Sequence, residues 1–223
     1  MKRQMKKKLE ALLSLILILS LALAGCKKKE EIPEPHRLAE AYYLLFTRGN
    51  TEELIKYGNT ESEAKNILDT YKTSMQSKFK RAANSSGGIF KTEDTDKVLD
   101  ALLHAMAKLK YEVKTEEIDE KKGTATVILK SQSVPLSDIQ TKLMNNMQKA
   151  MKTGEITDQY QMGSYFLNET ARLIKNSKPT KEMKETVLDL KLKTVKINKK
   201  EVKRWMPENS YTFETEIGKL LTS

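Results

Sequence analysis

The groups in this chain that could do covalent or ionic chemistry are few. Its 223 residues include one cysteine, Cys26, two histidines, His36 and His104, and nine glycines. One thiol builds neither a disulfide framework nor a cysteine-based metal centre. His36 sits at the edge of a proline-containing segment, and His104 follows Leu103 on a helical pattern, so no Ser-His-Asp set assembles around either. Gly87-Gly88 lacks the Lys-Ser/Thr pair of a phosphate-cradling loop. Glu93, Asp94, Asp96 and Asp100 crowd one helix start, where acids complement the helix dipole. Their spacing lacks the glycine and closing glutamate of a calcium loop. Asn168-Glu169-Thr170 matches a glycosylation triplet but falls inside a helical pattern. The expectation is a chain without catalytic residues, metal or cofactor.

Cys26 has another chemistry written around it. Met1–Lys8 carries Lys2, Arg3, Lys6, Lys7 and Lys8, and Ala11–Ala24 is apolar apart from Ser14 and Ser20. Basic, then apolar, then small is the layout of an export signal. A spanning helix needs about 20 apolar residues, and this run is only 14 residues long. Leu23-Ala24-Gly25-Cys26 resembles the lipobox of prolipoproteins. That motif implies cleavage between Gly25 and Cys26 and transfer of a diacylglyceryl group, with palmitate-type chains, to the Cys26 sulfur. Two acyl chains, at about 0.8 kcal/mol per buried methylene, anchor stably where one does not. The expected location is the extracytoplasmic face of the cell membrane.

Without residues 1–25 the chain has 35 basic and 29 acidic residues, a net charge of +6. A basic balance ordinarily suggests nucleic acid, but export removes that partner. Lys27, Lys28 and Lys29 beside the anchor suit anionic lipid or wall polymer instead, at about 1 kcal/mol per lysine. Pro33 and Pro35 close a short charged stretch that reads as a tether. The expected organisation is a signal peptide over 1–25, a lipidated cysteine and tether over 26–35, and one folded domain over 36–223.

Within that domain the pattern alternates between periods of 3.6 and 2. Leu38, Ala41, Tyr42, Leu45 and Phe46 form a helical stripe ended by Gly49. Asn50 with Glu53, and Thr60 with Glu63, read as N-caps with a returning acid. The second opens a long helix through Ala64, Ile67, Leu68, Tyr71, Met75, Phe79 and Ala82, broken at Asn84–Gly88. A further helix runs from the Thr92–Asp96 region through Leu109. Tyr111–Thr115 and Thr124–Ser131 read as a hairpin closed at Gly123. Ser137 with Gln140, and Thr157, read as caps of two more helices, the second ended by Pro179. Leu188, Leu190 and Leu192 alternate with Asp189, Lys191 and Lys193, the mark of a strand wet on one face. The apolar parity then slips to Val195 and Ile197, which predicts a bulge or an edge. Asn198–Lys200 reads as a turn, Glu201–Met206 as a returning strand, and Tyr211–Leu221 as one or two helical turns. The sum is α+β: two hairpins forming an antiparallel sheet of about four strands, packed against helices.

Met144, Met147 and Met151 share one helical stripe, with Met162 on the next helix near Tyr160 and Phe166. Methionine is flexible and polarizable, so these six residues could line an apolar groove, although ordinary core packing explains them more simply. The tyrosine-bearing first helix ending at Gly49, the Tyr111–Ser131 hairpin, the Leu188–Ile197 strand, and Trp205 followed by Tyr211-Thr212-Phe213-Glu214 together resemble a family of Gram-positive bacterial lipoproteins whose conserved domain has no assigned function. The resemblance implies a cystatin-like or NTF2-like α+β arrangement and carries over no catalytic residue. The expected role is a membrane-anchored, non-catalytic binding module for a protein or small molecule. The alternatives are a carrier of lipid or small apolar ligands serving a transporter, and an envelope enzyme acting on lipid or wall polymer.

Overall fold

Leu188 and Leu190 are buried and Leu192 half-buried, while Asp189, Lys191 and Lys193 face water, as their alternation requires. The computed structural model describes residues 32–85, 89–197 and 200–222, all but Ile32 in a compact unit beginning at Pro33. The leader, Cys26, Lys27–Lys29 and the Asn198-Lys199 turn lie outside the described residues.

The fold is α+β, with seven helices and four strands among the described residues. In chain order the elements are α1 (Pro35–Arg48), α2 (Glu52–Tyr57), α3 (Glu61–Ser85), α4 (Thr92–Met106), β1 (Tyr111–Asp119), β2 (Thr124–Ser131), α5 (Leu136–Lys152), α6 (Gln159–Lys175), β3 (Lys184–Ile197), β4 (Lys200–Pro207) and α7 (Ser210–Leu221). The two hairpins join through β2 and β3 into one antiparallel sheet ordered β1-β2-β3-β4. Its inner face, with Ala125, Val127, Leu129, Leu188, Leu190 and Trp205 buried, packs against helices. Helices α1 and α7 lie on the sheet, α4 packs on α1, α6 on α4, and α5 on α6. None of the described helices is long and apolar enough to cross a membrane.

Helix α1 is the centre of the core. Leu38, Ala39, Ala41, Tyr43, Leu44, Leu45 and Phe46 are all buried. The Tyr43 hydroxyl donates to Ser131 Oγ at 2.7 Å, and Ser131 donates onward to the Gln132 carbonyl at 2.7 Å. Gly49, at φ 63°, ends the helix, and its N–H returns to the Leu45 carbonyl at 3.0 Å. A left-handed residue at that position favours glycine.

The predicted boundaries meet mixed outcomes. Thr60 and Glu63 form a reciprocal capping box, with N–H bonds of 2.8 and 3.2 Å to each other's side chains. Asn50 is not the residue immediately before α2. Thr51 is, and Asn50 accepts from the Glu52 N–H in a local turn. Ser137 caps nothing, because α5 already starts at Leu136 after Pro135. Asp158, not Thr157, caps α6, taking the N–H groups of Tyr160 and Gln161 at 2.8 Å. Thr157 instead donates to the Gln161 side chain. Helix α7 is longer than expected, with Asn209 as its cap.

The pairing of β3 with β4 runs without a shift from Leu190↔Pro207 to Ile197↔Lys200, so no bulge lies at Val195. Parity slips there because β2 stops at Thr124↔Lys191. Beyond Leu192↔Trp205, the last pair with a buried member, the two strands leave the helix-covered sheet, and nothing requires a buried face. The irregularity is in β1, between Thr115 and Glu117.

Truncating Leu45 to alanine should cost about 2–5 kcal/mol by chemical denaturation, whereas Tyr43→Phe should cost about 1 kcal/mol. A Leu45→Ala cost below about 0.5 kcal/mol would show that α1 is not the seat of the core.

Candidate functional site

The α5–α6 hairpin carries the predicted groove residues, and polar ties hold it in place. Asp94, 5% exposed in the first turn of α4, accepts from Lys97 Nζ at 2.8 Å and Ser164 Oγ at 3.0 Å. Lys97 also donates to Asn168 Oδ1 at 2.9 Å, and Asn168 Nδ2 donates to the Ser164 carbonyl at 2.8 Å. Gly163 lets α6 approach the chain entering α4, since a Cβ there would fall 2.1 Å from the Ile89 carbonyl oxygen. One step outward, Glu169 takes Asn146 Nδ2 from α5 at 2.6 Å and the Arg172 guanidinium on both carboxylate oxygens, at 2.6 and 2.5 Å.

These partners set the protonation of the two acids. Burial opposes the charge on Asp94, but the bonds from Lys97 and Ser164 outweigh it and hold the carboxyl below its ordinary value. Arg172 does the same for Glu169, against desolvation and with help from Asn146. Among the described residues every buried side-chain nitrogen and oxygen has a hydrogen-bond partner. The acids of α4 therefore do more than meet a dipole: Asp94 ties two helices together. Glu169 escapes a reading by motif, although its spacing to Arg172 is that of a helical ion pair.

The six predicted groove residues separate. Phe166 stacks on Phe90 with ring centroids 5.6 Å apart and packs against the core. Met147 and Met162 are half-buried. Met144, Met151 and Tyr160 are exposed, at 49%, 55% and 58%. Tyr160 and Met162, two residues apart, lie about 200° apart around α6 and cannot both face α5. What remains on α5 is an open pair of thioethers, Met144 and Met151, one heptad apart above the buried Leu143 and Ala150.

Two other places collect functional groups. Tyr42 meets Phe213 edge-on at 5.2 Å, and Phe46 meets Tyr71 at 4.5 Å, where α1, α3 and α7 converge. Glu214 lies beside Tyr42 and Tyr71. Desolvation pushes its carboxyl up, while burial together with the Glu214 charge pushes Tyr42 up and Tyr71 to about 12. An open hollow of about 470 Å³ runs along α3, lined by Asn66, Asp69, Thr70, Thr73, Ser74 and Ser77. His36 is half-buried in α1, its Nδ1 3.3 Å from Thr115 Oγ1, and His104 is exposed on α4.

Both tied acids have depressed pKa values, so the stability they supply is fully present above the unfolded carboxyl pKa of about 4 and is lost as the pH falls through the lower folded value. Asp94→Asn should therefore cost about 1–3 kcal/mol at pH 7, and its deficit against the parent should shrink by pH 3. A deficit independent of pH would contradict the assignment. Met144→Gln with Met151→Gln should change stability by less than about 0.5 kcal/mol, whereas Leu143→Ala should cost about 2–5 kcal/mol. Equal costs in thermal melts would place the two methionines in the core.

Comparison with known proteins follows the fold. A crystal structure of a candidate lipoprotein (ycdA) from Bacillus subtilis subsp. subtilis strain 168 superposes with a TM-score of 0.59 and 16% sequence identity. The match covers 85% of this chain and 56% of the other, so this chain spans little more than half that protein's length. At such identity the likeness is one of fold. No curated protein matches the chain. The family model described as Domain of unknown function (DUF5105) matches residues 26–221, from Cys26 through the end of α7, and the chain therefore belongs to that family.

Proposed function

We propose that the protein is a lipoprotein anchored to the extracytoplasmic face of the membrane through Cys26, its folded domain serving as a non-catalytic interaction module. In this reading residues 1–25 are a cleaved leader, 26–35 the anchor and tether, and 36–223 the working domain. The observation that carries it is the coincidence of two independent boundaries. Leu23-Ala24-Gly25-Cys26 puts the processing point before Cys26, and the family match also starts at Cys26. The fold relative described as a candidate lipoprotein supports the same reading. The relation to Gram-positive lipoproteins as a group, and to cystatin-like or NTF2-like sheets, belongs to the proposal too. The Bacillus subtilis relative and the one-sided antiparallel sheet support it.

The non-catalytic character rests on how the acids are used. Asp94 and Glu169 are committed to bonds between helices rather than turned toward a shared cleft. The surface offered to a partner is the outer side of α5, where Met144 and Met151 expose flexible thioethers that adapt to varied apolar shapes. A protein segment or small apolar molecule suits that surface.

Metabolic labelling with a fatty-acid probe tests the anchor. The wild type should carry label and fractionate with membranes, and Cys26→Ala should lose the label and retain its leader. Label persisting in Cys26→Ala would end the proposal.

A further inference from the structure

The chain's surplus positive charge is concentrated toward one end of the β3–β4 hairpin. Residues 190–205 hold seven basic residues and one acid, Glu201, a net charge of +6. The chain from Cys26 onward also totals +6, so the rest of it is neutral on balance. Here the sheet narrows to two strands. Strand β2 ends its pairing at Thr124↔Lys191, the Leu192 N–H still reaches the Gly123 carbonyl at 2.8 Å, and from Lys193↔Arg204 to Ile197↔Lys200 β3 has only β4 beside it. Five residues of strand carry this ribbon about 17 Å past the β1–β2 turn.

Its lysines differ from most of those elsewhere on the sheet, Lys184 at the start of β3 being the exception. Lys114, Lys122 and Lys130 lie against Glu116, Asp119 and Glu185 at 2.8, 3.2 and 3.1 Å. Lys191, Lys193, Lys196 and Lys203 are exposed, and none has an ion pair among the described residues. Arg204 is set apart, its guanidinium lying against Gly58. Strand parity puts Lys191 and Lys193 on the face that carries no helices, together with the half-buried cross-strand pair Val195↔Val202. Lys196 and Lys203 project from the other face. Cations beside an apolar pair suit a surface that is anionic outside and greasy just beneath.

We infer that the β3–β4 ribbon is a membrane-contact site that takes the anionic headgroups of the bilayer on Lys191, Lys193, Lys196 and Lys203, with Val195 and Val202 lodging at the headgroup boundary. A polyanion of the wall would use the lysines but gain nothing from the valine pair, which is why the bilayer is the occupant. The inference rests on the lipid-anchor reading, because a tether keeps the ribbon at high effective concentration near lipid. The nine residue-to-residue steps from Cys26 to Pro35 would span at most about 30 Å.

The test uses residues 26–223 carrying Cys26→Ser, so no acyl chain contributes and the result is independent of the labelling of Cys26. Co-sedimentation compares vesicles of phosphatidylcholine alone with vesicles containing phosphatidylglycerol. The parent should bind only the anionic vesicles and be released by high salt. Changing Lys191, Lys193, Lys196 and Lys203 to Gln should weaken binding at least about tenfold, and changing Val195 and Val202 to Ser by about threefold or more. Thermal melts check that the variants fold. Acetylation of the unmutated chain, read by mass spectrometry, needs no variant: anionic vesicles should shield these four lysines. Unchanged acetylation, or binding lost only when Lys27, Lys28 and Lys29 are changed to Gln, overturns the inference. So does displacement by soluble poly(glycerol phosphate) combined with indifference to the valine changes, which would assign the ribbon to a polyanion.

Discussion

The burial of α1 is the constraint on which the rest of the structure depends. A helix that sits on a sheet normally keeps a polar side, and α1 keeps little of one: Leu38, Ala39, Ala41, Tyr43, Leu44, Leu45 and Phe46 cover most of its circumference. Such a helix is stable only when surrounded. The sheet covers it on one side, α4 on another, and α2 folds back across it after Gly49. The Tyr43–Ser131 bond, and the Thr47 hydroxyl donating to the Tyr43 carbonyl at 2.7 Å, then satisfy hydroxyls that this arrangement would otherwise strand in the core. Once α1 is seated, the outer helices can be added in succession, each resting on the one before.

Periodicity alone predicts the elements whose burial is one-sided. Leu188, Leu190 and Leu192 announce a half-wet strand, and Thr60 with Glu63 announces a helix start, because both signals are contained within a few residues. Signals that depend on distant partners do not show in that way. Thr157 and Asp158 are both good caps on paper, and the choice between them follows from where the preceding turn delivers the chain. The slip at Val195 resembles a bulge in sequence because the end of β2, far away in the chain, is what releases the strand from parity. The Asp94–Ser164 bond spans 70 positions and has no local signature. The methionine stripe was readable as a stripe, but whether it faced the core or water depended on α5 being the outermost layer.

The polar ties and the exposed surfaces divide the work. Asp94, Lys97, Ser164 and Asn168 fix α6 on α4, and Glu169 fixes α5 on α6, so the thioethers on α5 are carried on a rigid support. Charge follows a similar division, with a neutral body and a cationic ribbon. The family match starts at Cys26, the residue that closes the lipobox-like motif.

Strand β1 forms one margin of the sheet and is built to be a poor partner. It displays Glu112, Lys114, Glu116 and Glu117 to solvent, and its ladder is interrupted between Thr115 and Glu117. Edges of this kind resist pairing with a neighbouring copy. For molecules held in a plane, as the proposed anchor would hold these, that interruption would disfavour lateral zipping of sheets through the β1 margin.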